Sequence, residues 1–233
     1  WRDTGNGYGN SIVGTVSGTS ISFGSTYVFS ASASLLLSIA FDDSNPSKFV
    51  IAYGDQGNSS YGTAVIGTIS GTSLSYGTAV VFNSGATNQD IQADYISSNK
   101  FAVAYQDGGN SNYGTAIVGT VSGTSISFGS EYVFSAVNST FRISIKKDPN
   151  ATDIFVVAYA DNVSNVAKAV VGTVSGNSIS YGSATIFESS FLNWCGVSFD
   201  PSTANKFAIM FGTSSTLQAI IGTRSGTSIS FGS

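Results

Sequence analysis

The chain has 233 residues, of which 42% are apolar, 12% aromatic and only 9% charged, with a net charge of −4 and a pI near 4.5. About a quarter of an ordinary soluble domain is charged, so Ser, Thr, Asn and Gly must supply the polar surface here. No cluster of Lys or Arg exists to neutralise a run of phosphates, which excludes nucleic acid as a partner, and no apolar run is long enough to cross a bilayer. A single cysteine, Cys195, excludes both an intrachain disulfide and a Cys-cluster metal site.

Internal repetition dominates the sequence. The phrase Gly14-Thr-Val-Ser-Gly-Thr-Ser-Ile-Ser-Phe-Gly-Ser25 returns at Gly67–Thr78, Gly119–Ser130, Gly172–Ser183 and Gly222–Ser233, with starts 53, 52, 53 and 50 residues apart. Between the phrases lies a second block, Ser38-Ile39-Ala40-Phe41-Asp42 followed by Lys48-Phe49-Val50-Ile51-Ala52-Tyr53. Its second half returns at Lys100–Tyr105, Ile154–Tyr159 and Lys206–Phe211. The spacing predicts four strands per period, around 37–42, 48–53, 62–69 and 73–82, bounded by Gly, Asn, Ser and Pro. Ser17-Gly18-Thr19-Ser20 suits a type II′ hairpin with glycine at its first central position. In Phe49–Tyr53 both faces are apolar, as in a strand covered above and below, whereas Ile21 and Phe23 alternate with serines, as in an outer strand with one buried face.

Four antiparallel strands every 50 or so residues predict an all-β fold, a β-propeller of four-stranded blades. The whole of 1–233 is read as one repeat domain: a partial first repeat at 1–30, then 31–82, 83–134, 135–187 and 188–233. Trp1-Arg2-Asp3 aligns with Tyr53-Gly54-Asp55, and the chain falls about 27 residues short of five periods of about 52. Five blades with one incomplete are therefore expected. Either the fifth blade is built from incomplete material, which leaves an exposed sheet edge, or further copies of the chain or the rest of a longer parent chain complete it.

With no histidine, one cysteine and 13 scattered carboxylates, no nucleophile–base pairing around imidazole is possible, and the chain is read as not an enzyme. Two carboxylates brought together by folding could still serve a glycosidase, an alternative weighed and set below binding. The most suggestive residues lie after each second strand: Asp55, Asn58 and Tyr61; Asp107, Asn110 and Tyr113; a degenerate Asp3 and Tyr8; and Asp161 with Asn162 but no aromatic. Carboxylate and amide oxygens hold sugar hydroxyls and a Tyr ring packs on a sugar's apolar face, so these are candidate ligand contacts. The competing reading is turn chemistry, in which each Asp accepts nearby backbone N–H groups. Calcium could use the same oxygens, but it wants six to eight and each loop offers two or three, so no cofactor is expected. Trp194 is read first as a buried packing variant, with stacking on a ligand as the alternative. The strand glycines Gly14, Gly67, Gly119, Gly172 and Gly222 are read as marking close backbone approach or a bulge. Asn58, Asn138, Asn150 and Asn162 each open a glycosylation sequon.

The strands Ile39–Asp42 with Phe49–Asp55, Phe101–Asp107, Phe155–Asp161, and Phe199-Asp200 with Phe207–Phe211 resemble bacterial and viral β-propeller repeats of surface and tail-associated proteins. The period is similar to that of five-bladed lectins. That resemblance implies an extracellular, cell-surface or virion-surface display module whose repeated rim loops bind glycans or surface polysaccharide. The alternative is a structural or assembly protein with no small-molecule ligand.

Overall fold

The computed structural model describes residues 1–87 and 89–232. The first half-sheet pairs β1 (Tyr8–Ser17) with the front of β2 (Ser20–Asp42), whose later residues cross into the next blade. That blade runs from β2 through β3 (Asn45–Asp55) and β4 (Tyr61–Ser70) to the short β5 (Ser73–Tyr76) and β6 (Val80–Ala86), both paired with β4. The second full blade is β7 (Ile91–Ser97), β8 (Lys100–Asp107), β9 (Tyr113–Ser122) and β10 (Ser125–Ser135). The third is β11 (Thr140–Lys147), β12 (Ile154–Asp161), β13 (Val166–Ser175), β14 (Ser178–Tyr181) and β15 (Thr185–Glu188). The fourth is β16 (Trp194–Phe199), β17 (Lys206–Gly212), β18 (Leu217–Ser225) and β19 (Ser228–Phe231). All pairings are antiparallel, as short hairpin connections require. Four blades are complete and a fifth contributes an outer pair, so the fold is a β-propeller. The expected outer strand at 73–82 is two strands, because Gly77–Ala79 carries the chain off the β4 ladder before it returns.

The turn at Gly18 has φ +60°, and Gly71, Gly123, Gly176 and Gly226 match it within a few degrees, as the type II′ hairpin requires. Phe49, Phe101, Phe155 and Phe207 lie directly opposite Gly67, Gly119, Gly172 and Gly222. At each of these glycines a Cβ would overlap the phenylalanine ring. Close approach is therefore what the strand glycines provide in the four complete blades.

One aromatic contact is repeated at four successive blade junctions. Phe29, Phe82, Phe134 and Phe187 leave one blade and meet Tyr53, Tyr105, Tyr159 and Phe211 of the next, with ring centroids 5.3, 5.1, 5.2 and 5.3 Å apart. Each also meets the outer-strand ring of that next blade, Tyr76, Phe128, Tyr181 or Phe231. Such packing contributes beyond the buried area alone and fixes blade against blade. The inner strands β2, β7, β11 and β16 line a central cavity of about 440 Å³ and are tied side by side. The Ser38 hydroxyl accepts from Ala93 N at 2.9 Å, that of Ser144 accepts from Val197 N at 3.1 Å, and the Asp94 carboxylate accepts from Lys147 N at 2.8 Å.

The one-buried-face expectation for outer strands holds in the complete blades, where Leu74, Ile126, Ile179 and Ile229 are buried. It fails at β2, where Ile21 and Phe23 are 59% and 66% exposed because no sheet covers that side of the half-blade. Cys195 packs in β16, and its thiol donates to the Arg142 carbonyl. Burial, together with the nearby Asp90 carboxylate and despite Arg142, pushes the thiol up to about 12. Cys195 will therefore stay silent to Ellman's reagent at pH 8 in the folded chain and react once denaturant is added. Prompt reaction of the native protein would contradict this placement.

Candidate functional site

The candidate loops all follow the second strand of a blade, so they share one rim. Each rests on the strand that arrives from the preceding blade. The Ser32 hydroxyl donates to the Asp55 carboxylate, and Gly57 packs on Ser32. In the next blade Gly108 N donates to the Ala86 carbonyl at 3.0 Å, and Gly109 lies against Gly85. The Asn112 amide reaches Asn138, and Asn162 N donates to the Ser139 carbonyl. The rim loops thus sit at blade junctions.

The aspartates themselves are turned inward. Asp3, Asp55 and Asp107 accept from Gly5 N, Gly57 N and Gly109 N at 2.7, 3.0 and 2.9 Å, each two residues ahead. Asp161 accepts from Val163 N and Ser164 N and pairs with Lys168 at 2.7 Å. Desolvation there works to raise its carboxyl, but the Lys168 and Ser164 hydrogen bonds outweigh it and hold the group below the ordinary carboxylate range. The expected turn chemistry is present at all four positions.

What remains at the loop mouths is amide and phenol. Tyr61 lies opposite Asp55 and Tyr113 opposite Asp107 at the ends of their strand pairs, both half-buried, while Asn58 and Asn110 are exposed on the adjoining turns. Tyr8 holds the same position opposite Asp3 in the half-blade, and Asp3 N donates to the Tyr8 carbonyl. Asn162 is half-buried and has no ring beside it in its loop. Both full loops carry two consecutive non-glycine residues in the left-handed region: Ser59 and Ser60 at φ 55° and 61°, and Ser111 and Asn112 at 57° and 57°. Serine rarely adopts that backbone, and such strain gathers at binding sites.

Trp194 is not a buried packing variant. It is 41% exposed, and its indole lies over Gly212, where a Cβ would overlap Nε1. It opens β16 beside Thr213–Thr216, the fourth blade's counterpart of the Asp loops, which is closed instead by Thr213 N donating to the Thr216 carbonyl.

The opposite rim holds a charged constellation that the sequence reading passed over. A cavity of about 370 Å³ is lined by Asp43, Asp94, Lys146, Lys147, Ser198 and neighbouring residues, with Lys146–Asp94 at 3.0 Å and Lys147–Asp43 at 2.7 Å. Its signal in the sequence is the only adjacent lysine pair, Lys146-Lys147. Among the described residues no three His, Cys, Asp or Glu side chains gather as metal ligands, and no helix is long and apolar enough to cross a membrane.

No protein-family model and no curated protein sequence matches the chain. Solved structures do. Two structures of the Aleuria aurantia lectin, a point mutant in complex with α-methyl-L-fucoside and with Fucα1-6GlcNAc, are similar with TM-scores of 0.62 and 0.60 at 16% identity. Each likeness covers 95% of this chain, and 69% and 70% of the lectin chain respectively. Sqt1 from Chaetomium thermophilum is similar with a TM-score of 0.53 at 13% identity over 80% of this chain, which spans 42% of that one. At these identities the likeness establishes the fold.

Proposed function

We propose that the chain is a non-catalytic, multivalent carbohydrate-binding module displayed outside the cell, on a cell surface or on a virion. The observation that carries the reading is the pair of junction loops in which Ser59-Ser60 and Ser111-Asn112 hold the same left-handed backbone. In both, the carboxylate's Oδ1 is taken up by the turn while an exposed Asn and a half-exposed Tyr are left at the mouth. A Tyr ring offers a sugar's C–H face a flat apolar partner, and an amide offers its hydroxyls both a donor and an acceptor. Likeness in fold to a lectin solved with fucosides supports the same class of ligand. Two or more equivalent sites would turn weak single contacts into useful avidity on a polysaccharide surface.

The test is a glycan array probed with the purified chain, in calcium and again in chelator. Retention on particular glycans is expected, and Tyr61→Ala combined with Tyr113→Ala should abolish it while leaving the circular dichroism spectrum unchanged. Retention by the double variant would remove these loops from the site. Loss of wild-type binding in chelator would assign the loop oxygens to calcium.

The second reading, a structural or assembly protein, is favoured by the apolar residues left uncovered on the first and last sheets: Ile21 and Phe23 at one end, and Met210 and Ile221, 57% and 54% exposed, at the other.

A further inference from the structure

The two full junction loops share a backbone but differ in what they present. Ser59-Ser60 and Ser111-Asn112 occupy the same left-handed region, so the second loop carries an amide where the first carries the Ser60 hydroxyl. Asparagine visits that backbone more readily than serine, and its side chain offers both a donor and an acceptor. Asn112 is exposed, and its Nδ2 donates to Oδ1 of Asn138, also exposed, at 3.4 Å. Asn138 stands on an arch that leads from β10 into β11. On one side the arch ends at Thr140, which is fully buried, bonded through its hydroxyl to Ser135 at 3.0 Å, and donates its N–H to the Asn112 carbonyl at 3.4 Å. On the other, Asn162 N of the third blade's loop donates to the Ser139 carbonyl at 3.2 Å. Asn138 is thereby held in place beside Asn112, at the junction of two complete blades.

An amide–amide bond of 3.4 Å is at the long end of the range, and between two exposed side chains it contributes little. A sugar hydroxyl set between the two amides would accept from one and donate to the other at ordinary lengths. Charge narrows the ligand further. Asp107 is buried beneath this loop and makes no ion pair among the described residues, while Lys168 behind the next loop is already paired with Asp161 at 2.7 Å. An anionic sugar would meet a carboxylate here and no free ammonium. Building on the sugar-binding reading of the junction loops, we propose that the second loop takes two consecutive units of a neutral oligosaccharide, one on Tyr113 with Asn110 and the next on the Asn112–Asn138 pair, whereas the first loop takes one unit. The first loop stops at one because Ser60 stands where the second has Asn112.

NMR of the labelled full chain, following backbone and side-chain amides, reads the two units separately. The probes are the methyl glycosides of L-fucose, galactose, glucose and N-acetylglucosamine, each beside a neutral disaccharide ending in the same sugar. A monosaccharide that binds is expected to shift both Tyr61 and Tyr113 and to leave the side-chain amides of Asn112 and Asn138 where they are. Its disaccharide should move those amides as well, and should bind the second loop about tenfold more tightly than the monosaccharide does, the gain that one or two added hydrogen bonds supply. Asn138→Ala, alone or with Asn112→Ser, which installs the residue the first loop already holds on that backbone, should bring the ratio of the two affinities close to one. A ratio that survives the double variant, or disaccharides that bind both loops equally, would overturn the proposal and leave the sugar-binding reading standing. Binding of a disaccharide ending in sialic acid as tightly as its neutral counterpart would overturn the assignment to neutral glycans. Silence at both loops with every sugar removes the sugar-binding reading and this second unit with it.

Discussion

Phe155→Ala will cost the chain about 3–5 kcal/mol of stability. Phe155 is fully buried, sits in the notch over Gly172, touches Tyr181 with centroids 6.3 Å apart, and belongs to the core shared by the second and third full blades. Truncation removes the ring and leaves a cavity that two rigid strands cannot collapse into. For a chain of this length the loss corresponds to a fall of roughly 10 °C in the melting midpoint. The reciprocal change, Gly172→Val, should cost about 1–3 kcal/mol or more by forcing the ring out of its place. Gly14→Val, at the equivalent position in the half-blade, should stay within about 0.5 kcal/mol of wild type. Thermal and guanidinium melts of the three variants check this. Equal effects at Gly14 and Gly172 would show that the notch is filled in both sheets.

Asp148→Ala will be comparably severe, about 3–5 kcal/mol, for an electrostatic reason. Asp148 follows β11, and its Oδ2 accepts from Arg224 of β18 at Nη2, 2.8 Å, and at Nε, 3.1 Å, with both side chains buried. Arg224 Nη1 also donates to the Gly226 carbonyl, and Nη2 to Asn205. Removing the carboxylate leaves a guanidinium without its counter-charge in the seam between the third and fourth full blades. The other copies of the phrase carry Val16, Ile69, Val121 and Val174 where Arg224 stands. Asp148→Ala combined with Arg224→Val should therefore recover most of the loss, since an apolar pair can replace a buried ion pair at little cost. A double variant as unstable as the single one would assign the loss to packing around Asp148 and not to the stranded charge.

These two contacts mark what the sequence could and could not convey. The recurrence of Gly67 and its equivalents was visible as a period and pointed to close backbone approach or a bulge, but that the Phe49 ring seats on Gly67 became evident only in the fold. The hairpin at Gly18 was legible as a period too. Arg224 was overlooked because one departure from Val in a repeated phrase does not say what it faces, and its partner Asp148 lies 76 residues away in another blade. The half-blade's exposed Phe23 also defeated the pattern. Alternation reports which face wants cover, and four internal copies found it while the first did not. At the rim, Asp followed by Gly and Asn was correctly legible as turn chemistry. Nothing in the letters foretold the paired left-handed residues at Ser59-Ser60 and Ser111-Asn112. Trp194 was misread because a large ring among small residues suggests a filled core, whereas here it lies over Gly212 at the open rim.

The most direct test of sugar binding at the junction loops is an amide NMR titration of the isotopically labelled chain with a panel of monosaccharides, fucosides included. Saturable shifts concentrated at Asn58–Tyr61 and Asn110–Tyr113 are the predicted result. Shifts confined to Asp43, Asp94 and Lys147 on the opposite rim, or none with any sugar, would contradict it.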